Sequence, residues 1–288
     1  MRFVKYHGLG NDFVVFDLRA GDVHPSPLDP EMARRLCDRR FGVGADGVIG
    51  IQRPDDPAHD ARMRIINADG SEAEMCGNGI RCLAKYLFER GELRREEFLI
   101  ETLAGLRRCG LRVEGTRVAS VAVDMGAPVL DRPAIPMKGE DRFVEGWLEV
   151  SGNPLRVTAV SMGNPHAVTF VEGDPMEAAQ ALGPYLETHP AFPKRTNAGF
   201  ARMSGPSSLD LVVWERGCGI TLACGTGACA AAVAAALTGR TRMGEEVEVH
   251  LPGGTLSVTV GEGLQGVLMR GPAVEVYQGE LSQEFLQL

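Results

Sequence analysis

Short runs of β-branched and alternating apolar residues, bounded by Gly, Pro, Asn or Asp, dominate the chain. They fall at 13–18, 48–52, 63–68, 98–102, 117–125, 156–161 and 209–215, and each predicts a strand. The stretch 247–260 reads as a hairpin turning at Gly253-Gly254. Helical spacing is confined to four stretches, 30–39, 80–90, 175–187 and 228–238. The last of these, GACAAAVAAAL, is small and apolar on every side, so it offers no face to water and predicts a buried helix. A buried helix among many strands implies strands wrapped around it. Near the C-terminus, GPAVEVYQGEL reads as one more strand, able to return to the first half of the chain.

This pattern is written twice. Gly10-Asn11 precedes the β-prone DFVVFD, and Gly163-Asn164 precedes PHAVTF. Further on, Cys76-Gly77-Asn78-Gly79 opens one helical stretch and Cys224-Gly225-Thr226-Gly227 opens another. The order is the same, and the spacing is 65 residues from Asn11 to Cys76 against 60 from Asn164 to Cys224. Two matches in order and at similar spacing indicate an internal duplication. The fold expected is therefore α/β (α+β) with two pseudo-symmetric halves, each a sheet wrapped around a central helix. The boundary is placed where a strand ends at Asp124–Gly126. That gives a first half of 1–124 carrying Cys76, completed by 272–288 if the last strand returns, and a second half of 125–271 carrying Cys224.

Composition narrows the function classes. A chain of 288 residues with 44% hydrophobic and 24% charged residues is ordinary for a globular protein. Its net charge is −8 and no dense run of Lys and Arg interrupts it, which argues against nucleic acid as a partner. The first residues, MRFVKYHGLGND, lack the apolar stretch of a signal peptide, and the Ala-rich run of ten residues at 228–237 is far short of the roughly 20 that span a bilayer. A soluble cytoplasmic protein, with no membrane contact, is the expectation. Lysine is scarce: only Lys5, Lys85, Lys138 and Lys194 are present, and none sits in the phosphate-binding setting that a pyridoxal-phosphate enzyme requires.

Seven cysteines remain to be explained. The odd number in a cytoplasmic context argues against a disulfide framework, and no spacing suits zinc. Cys37, Cys82, Cys109 and Cys229 are expected to be small buried hydrophobes. Cys76 and Cys224 differ, because each opens a helix where the dipole and unpaired N–H groups favour an anion. That setting can depress a thiol pKa from about 8.5 to between roughly 3.5 and 7.5. Two such thiols in a duplicated chain suit inversion at an α-carbon, with a base removing a proton from one face and an acid delivering one to the other. A hydrolase would instead need one nucleophile with its own His and an oxyanion hole.

These blocks together resemble the diaminopimelate epimerase family, of the cofactor-independent amino-acid racemase group. The resemblance covers nearly the whole chain and rests on HGLGNDFVV, RRFGVGADG, NADGSEAEMCGNGIRC, MGNPHAV and WERGCGITLACGTGACA. It implies two β-barrel-like halves, each around a central helix, and interconversion of LL- and meso-diaminopimelate in lysine and peptidoglycan-precursor synthesis, with no cofactor. It also implies Cys76 and Cys224 as proton donor and acceptor, with His166 and Glu215 tuning them. Asn11, Asn67, Asn164, Asn197, Glu215 and Arg216 would line the site of this small-molecule substrate. The N–H groups of Gly77-Asn78 and Gly225-Thr226 would hold the reacting carboxylate. A homodimer is compatible with this reading.

The chain departs from the family at three places. Gly47 stands where many relatives carry a glutamine, and Cys218 and Ile220 stand where they carry Ala and a polar residue. Two alternatives are a proline or hydroxyproline racemase of the same group and a non-catalytic binding member of the fold. The first usually has histidine after Cys-Gly and lacks a Glu-Arg-Gly block, so Asn78 and Glu215-Arg216 argue against it. The second has lost the cysteine pair, which is present here. GVGADG at 42–47 fits GxGxxG, but it follows a helix and leads into a strand, the reverse of a dinucleotide fingerprint.

Overall fold

The computed structural model describes residues 1–21, 24–91 and 94–287, and the chain divides into two compact units, Met1–Val123 with Gly271–Leu288, and Asp124–Arg270. In the first unit the order is β1 (Arg2–Gly8), β2 (Asn11–Asp17), α1 (Pro30–Cys37), β3 (Gly47–Gln52), β4 (Ala61–Asn67), β5 (Glu72–Ala73), α2 (Gly77–Glu89), β6 (Glu97–Thr102), β7 (Gly105–Glu114) and β8 (Arg117–Asp124). The second unit runs β9 (Gly146–Val150), β10 (Asn153–Ser161), β11 (Pro165–Phe170), α3 (Pro175–Glu187), β12 (Asn197–Gly205), β13 (Ser208–Glu215), β14 (Gly219–Ile220), α4 (Gly225–Leu237), β15 (Glu246–Leu251), β16 (Gly254–Val260) and β17 (Val267–Gly271). Then β18 (Val274–Glu280) and α5 (Gln283–Gln287) rejoin the first unit.

The pairing repeats strand for strand. In the first unit β18 pairs with β1 and β1 with β2, both antiparallel; β2 meets β3 in parallel; β3 and β4 are antiparallel; β4 and β6 are parallel; and β6–β7–β8 closes as two antiparallel steps. The second unit gives the same series of antiparallel and parallel steps over β9, β10, β11, β12, β13, β15, β16 and β17. The short strands β5 and β14 hang from β4 and β13 in matching places. β18 thus occupies in one unit the position that β9 holds in the other.

Each unit curls its sheet around one helix. α2 touches β1, β2, β3, β4 and β7, and α4 touches β10, β11, β12, β13, β15 and β16. α4 buries Gly225 and every residue from Gly227 to Ala235, as its all-round apolar sequence requires. Small side chains let strands approach on all sides. The outer helices α1 and α3 both begin with an Asp-Pro pair: Asp29 and Asp174 accept N–H bonds from the first turn, and proline fills the first helical position where no N–H is needed.

The four expected helices and all seven expected strands are present, their bounds shifted by up to three residues. The hairpin differs in its turn: Leu251 pairs with Gly254, so Pro252 and Gly253 form the loop. Proline fixes its own φ and has no ladder N–H, and it therefore belongs at the corner rather than in the strand. No helix of the described residues is long and apolar enough to cross a membrane.

Candidate active site

Cys76 is the N-cap of α2 and Cys224 the N-cap of α4, both with extended backbone. The local reason is the same in each unit. A short strand from a β-hairpin delivers the cysteine, and the Gly-x-Gly that follows lets the helix start close against the sheet. A Cβ on Gly79 would lie 3.1 Å from Ile49 Cδ1, and one on Gly227 would lie 2.9 Å from Val213 Cγ2.

In the first unit the residues around Cys76 form a chain of polar contacts. The half-buried Cys76 thiol donates to Asn11 Oδ1 at 3.7 Å, and Gly79 N–H donates to the sulfur at 3.5 Å. Asn78 Nδ2 donates to the same Asn11 oxygen at 3.1 Å, while Asn78 Oδ1 accepts from Arg81 at 2.9 Å. Asn11 Nδ2 in turn donates to Asp46 Oδ2 at 2.9 Å. Asn11, Cys76 and Asn78 are therefore gathered together. Asn67 is engaged elsewhere: it closes the turn after β4, donating through Nδ2 to Ser71 Oγ at 3.0 Å and through its N–H to Ser71 O at 2.8 Å.

In the second unit Cys224 is buried, with its sulfur 3.6 Å from Thr226 Oγ1, and the charge of Glu215 acts on it. Glu215 also accepts from Thr221 Oγ1. Burial is the largest influence on this thiol and the negative Glu215 the next, and together they push it well above its ordinary value. The sequence-based expectation of a depressed pKa fails at Cys224, because loss of water and a carboxylate partner outweigh the helix N-terminus. At rest, Cys224 carries its proton.

His166 on β11 is buried, and its burial lowers its pKa to about 3, with the charge of Arg216 acting in the same direction. Its Nε2 stands 2.9 Å from Asn164 Oδ1. An amide oxygen only accepts, so Nε2 holds the ring proton and Nδ1 keeps a lone pair. In the parallel register of β11 and β12, His166 lies beside Asn197. The buried Asn197 amide is committed at both ends: Oδ1 accepts the Arg216 N–H at 2.9 Å and Nδ2 donates to Pro165 O at 3.0 Å. It fixes the backbone that carries Arg216. The Arg216 guanidinium is exposed and donates to Lys194 O at 3.2 Å.

Cys37, Cys82 and Cys109 are buried, and burial pushes their thiols to about 11, 12 and 12 respectively, the pattern of inert core cysteines. Cys229 is buried within α4, whereas Cys218 is exposed in the turn after β13. Sequence reasoning missed Asp46, Arg81 and Thr221, the groups that hold Asn11, Asn78 and Glu215. All three lie inside the blocks that carry the family resemblance, but a residue that contacts another side chain rather than a ligand leaves no chemical signature of its own.

Residues 3–130 and 158–276 match the family model for diaminopimelate epimerase. A diaminopimelate epimerase of Pelotomaculum thermopropionicum is 52% identical over 97% of this chain and 98% of its own. One from Desulfitobacterium hafniense is 50% identical over 99% of this chain and all of its own. Among solved structures, a hydroxyproline epimerase from Agrobacterium vitis with bound trans-4-hydroxy-L-proline superposes with a TM-score of 0.69 at 17% identity, covering 98% of this chain and 90% of that one. At that identity the likeness concerns the fold.

Proposed function

Because this chain belongs to the diaminopimelate epimerase family, we propose that it is a cytoplasmic isomerase that interconverts LL- and meso-diaminopimelate by two-base proton transfer between Cys76 and Cys224. The observation that carries this reading is the recurrence of one thiol at the start of the central helix in each of two units with the same strand order. Inversion at carbon requires an acid and a base that share one proton and exchange roles in each turnover. Cys224, protonated at rest, enters as the acid when Cys76 enters as the base. The new C–H bond takes the proton from Cys224, the old one leaves its proton on Cys76, and the reverse reaction starts from that exchanged state. Proton transfer of this kind needs no cofactor.

The remaining assignments follow from the chemistry of the substrate. The N–H groups of Gly77, Asn78, Gly225 and Thr226 lie in the first turns of α2 and α4, where the helix dipole favours an anion, and suit the carboxylate next to the reacting carbon. Asn67, Asn164 and Glu215 carry oxygens suited to the ammonium groups, and Asn11 lines the site beside Cys76. Arg216 supplies a charged fork for the distant carboxylate, with Asn197 holding it in place. His166 Nδ1 and Glu215 are the groups suited to tune the two thiols.

The experiment is conversion of LL- to meso-diaminopimelate by purified protein with no added cofactor. Cys76→Ala and Cys224→Ala should each abolish it, whereas Cys82→Ala should cost stability more than turnover. Retention of more than about a tenth of wild-type rate by either active-site variant, a loss under ~1.4 kcal/mol, would sink the two-base assignment.

A further inference from the structure

The two side-chain amides beside Cys76 point one way because both ends of their chain are chemically fixed. Arg81 only donates, so Asn78 must turn its oxygen to Arg81 and its NH₂ to Asn11. The Asp46 carboxylate only accepts, and Asn11 must turn its NH₂ there. Both constraints leave Asn11 Oδ1 facing the Cys76 sulfur. Asp46 is itself clamped: its Oδ2 accepts the Asp12 N–H at 3.1 Å, its Oδ1 takes Arg39 at 2.8 Å, and its own N–H returns to Asp12.

We propose that Asp46 is a positioning residue, which orients the Asn11 amide so that an acceptor oxygen, and not an NH₂, meets the Cys76 thiol. An acceptor at that distance favours S–H over S⁻, whereas an NH₂ in its place would favour the thiolate. Asp46 thereby opposes the helix N-terminus and the Gly79 N–H, both of which favour the anion. The balance leaves Cys76 able to serve as acid in one direction and base in the other. Arg81, buried and also donating to Gly77 O at 3.1 Å and Pro272 O at 3.1 Å, holds the opposite end. Further charged groups pair within this chain: Lys5 with Asp12 at 2.7 Å, and Arg39 with both Asp12 and Asp46. His7 Nδ1 accepts the Gly10 N–H at 3.2 Å.

This inference rests on Cys76 being a proton-transfer group, but its test reads the thiol itself, so it can fail or succeed whatever the substrate proves to be. Alkylation of Cys76 by iodoacetamide, followed as a function of pH by mass spectrometry of its peptide, reports where the thiol ionises. Asp46→Ala removes one of the two constraints on Asn11 and leaves only the Asn78 NH₂ to hold its orientation, so the amide can turn over in part and the midpoint should fall by up to about one pH unit. Asp46→Asn removes the charge but keeps an acceptor oxygen for Asn11, and should stay within a few tenths of wild type. Asn11→Ala deletes the oxygen directly and should reproduce the Asp46→Ala shift, which keeps the test decisive if Asp46→Ala folds poorly. With diaminopimelate as substrate, Asp46→Ala should lose at least tenfold in kcat/KM and Asp46→Asn less than threefold. An unshifted midpoint in Asp46→Ala or Asn11→Ala would overturn the proposal. Equal shifts in Asp46→Ala and Asp46→Asn would overturn it too, since they would mean that charge alone, not amide orientation, sets the thiol.

Discussion

His166 and Cys224 show how far burial reshapes titration at single residues. Both are fully enclosed, and in both the neutral form is kept, His166 through a pKa lowered to about 3 and Cys224 through one raised well above its ordinary value. Cys224 was legible as a candidate from its Cys-Gly-x-Gly motif, and His166 only through the family resemblance. Their ionisation was not, because it depends on Glu215 and Arg216 arriving from a different strand end and on the removal of water. The histidine carries a stability consequence whose sign follows from linkage. Its folded pKa lies below the ordinary 6.5, so as pH falls past about 6.5 the unfolded chain takes up a proton that the folded chain refuses. Stability should therefore drop by on the order of a few kcal/mol between pH 6.5 and about 3. His166→Gln keeps a donor for Asn164 but cannot titrate. Guanidinium midpoints at pH 7 and pH 5 should accordingly separate more for wild type than for the variant. An equal drop in both would show that His166 is protonated in the folded state.

At the scale of elements, the second glycine of each Cys-Gly-x-Gly makes the two sites unequal. A Cβ on Gly79 would sit 3.1–3.3 Å from the tips of Ile49 and Ile65 and 3.6 Å from Cys76 Cβ, contacts that flexible side-chain ends can yield. A Cβ on Gly227 would sit 2.9 Å from Val213 Cγ2 and 3.2 Å from the Cys224 sulfur, and a β-branched neighbour has little room to turn. Alanine gains about 1 kcal/mol over glycine in a helix, which overpacking of about 1–3 kcal/mol offsets or exceeds. Gly79→Ala should thus leave the melting temperature nearly unchanged and turnover mildly reduced, and Gly227→Ala should lower both by displacing the thiol. Equal turnover in the two variants would argue that the Cys224 sulfur tolerates movement. Most elements were legible because their signals are local: helical spacing for α1 and α3, uninterrupted small residues for α4, a β-branched run for β3, and alternation for β4 and β13. β7 escaped notice, since Arg107, Arg108 and Arg112 break its apolar alternation and only Cys109 and Leu111 are buried. β1 escaped for the opposite reason. α2 covers one of its faces, where Tyr6 meets Tyr86, and Phe3 joins a core cluster with Phe16 and Leu36, so β1 buries successive residues and shows no period of two.

For the whole molecule the duplication dictates one asymmetry of connection. The second unit takes its first strand, β9, from the start of its own segment, whereas the first unit takes the equivalent strand, β18, from the far end of the chain. The motif repeat announced the duplication, yet only the pairing series reveals which strand is borrowed, because a strand's neighbour is set across hundreds of residues. Several bonds of the first unit depend on that loan. Glu275 accepts from Tyr6 Oη at 2.8 Å and from Arg90 Nε at 2.9 Å, Gln278 accepts from Arg90 at 2.7 Å, and Pro272 O accepts from Arg81. Leu281 packs in the core cluster that holds Phe3, Phe16 and Leu36. A chain ended after Arg270 would expose the free edge of β1 and leave the buried Arg81 short of an acceptor, a loss that costs about 1.5–3 kcal/mol for a charged donor. Because Arg81 orients Asn78 beside Cys76, the damage should reach the first thiol while sparing the second unit. Hydrogen exchange should therefore show β1 and α2 amides exchanging much faster in the shortened chain, with α4 amides keeping their protection, and epimerase activity should be lost. Wild-type protection of β1 in that chain would mean that β18 adds little to the unit it completes, and the loss of activity would then need another cause.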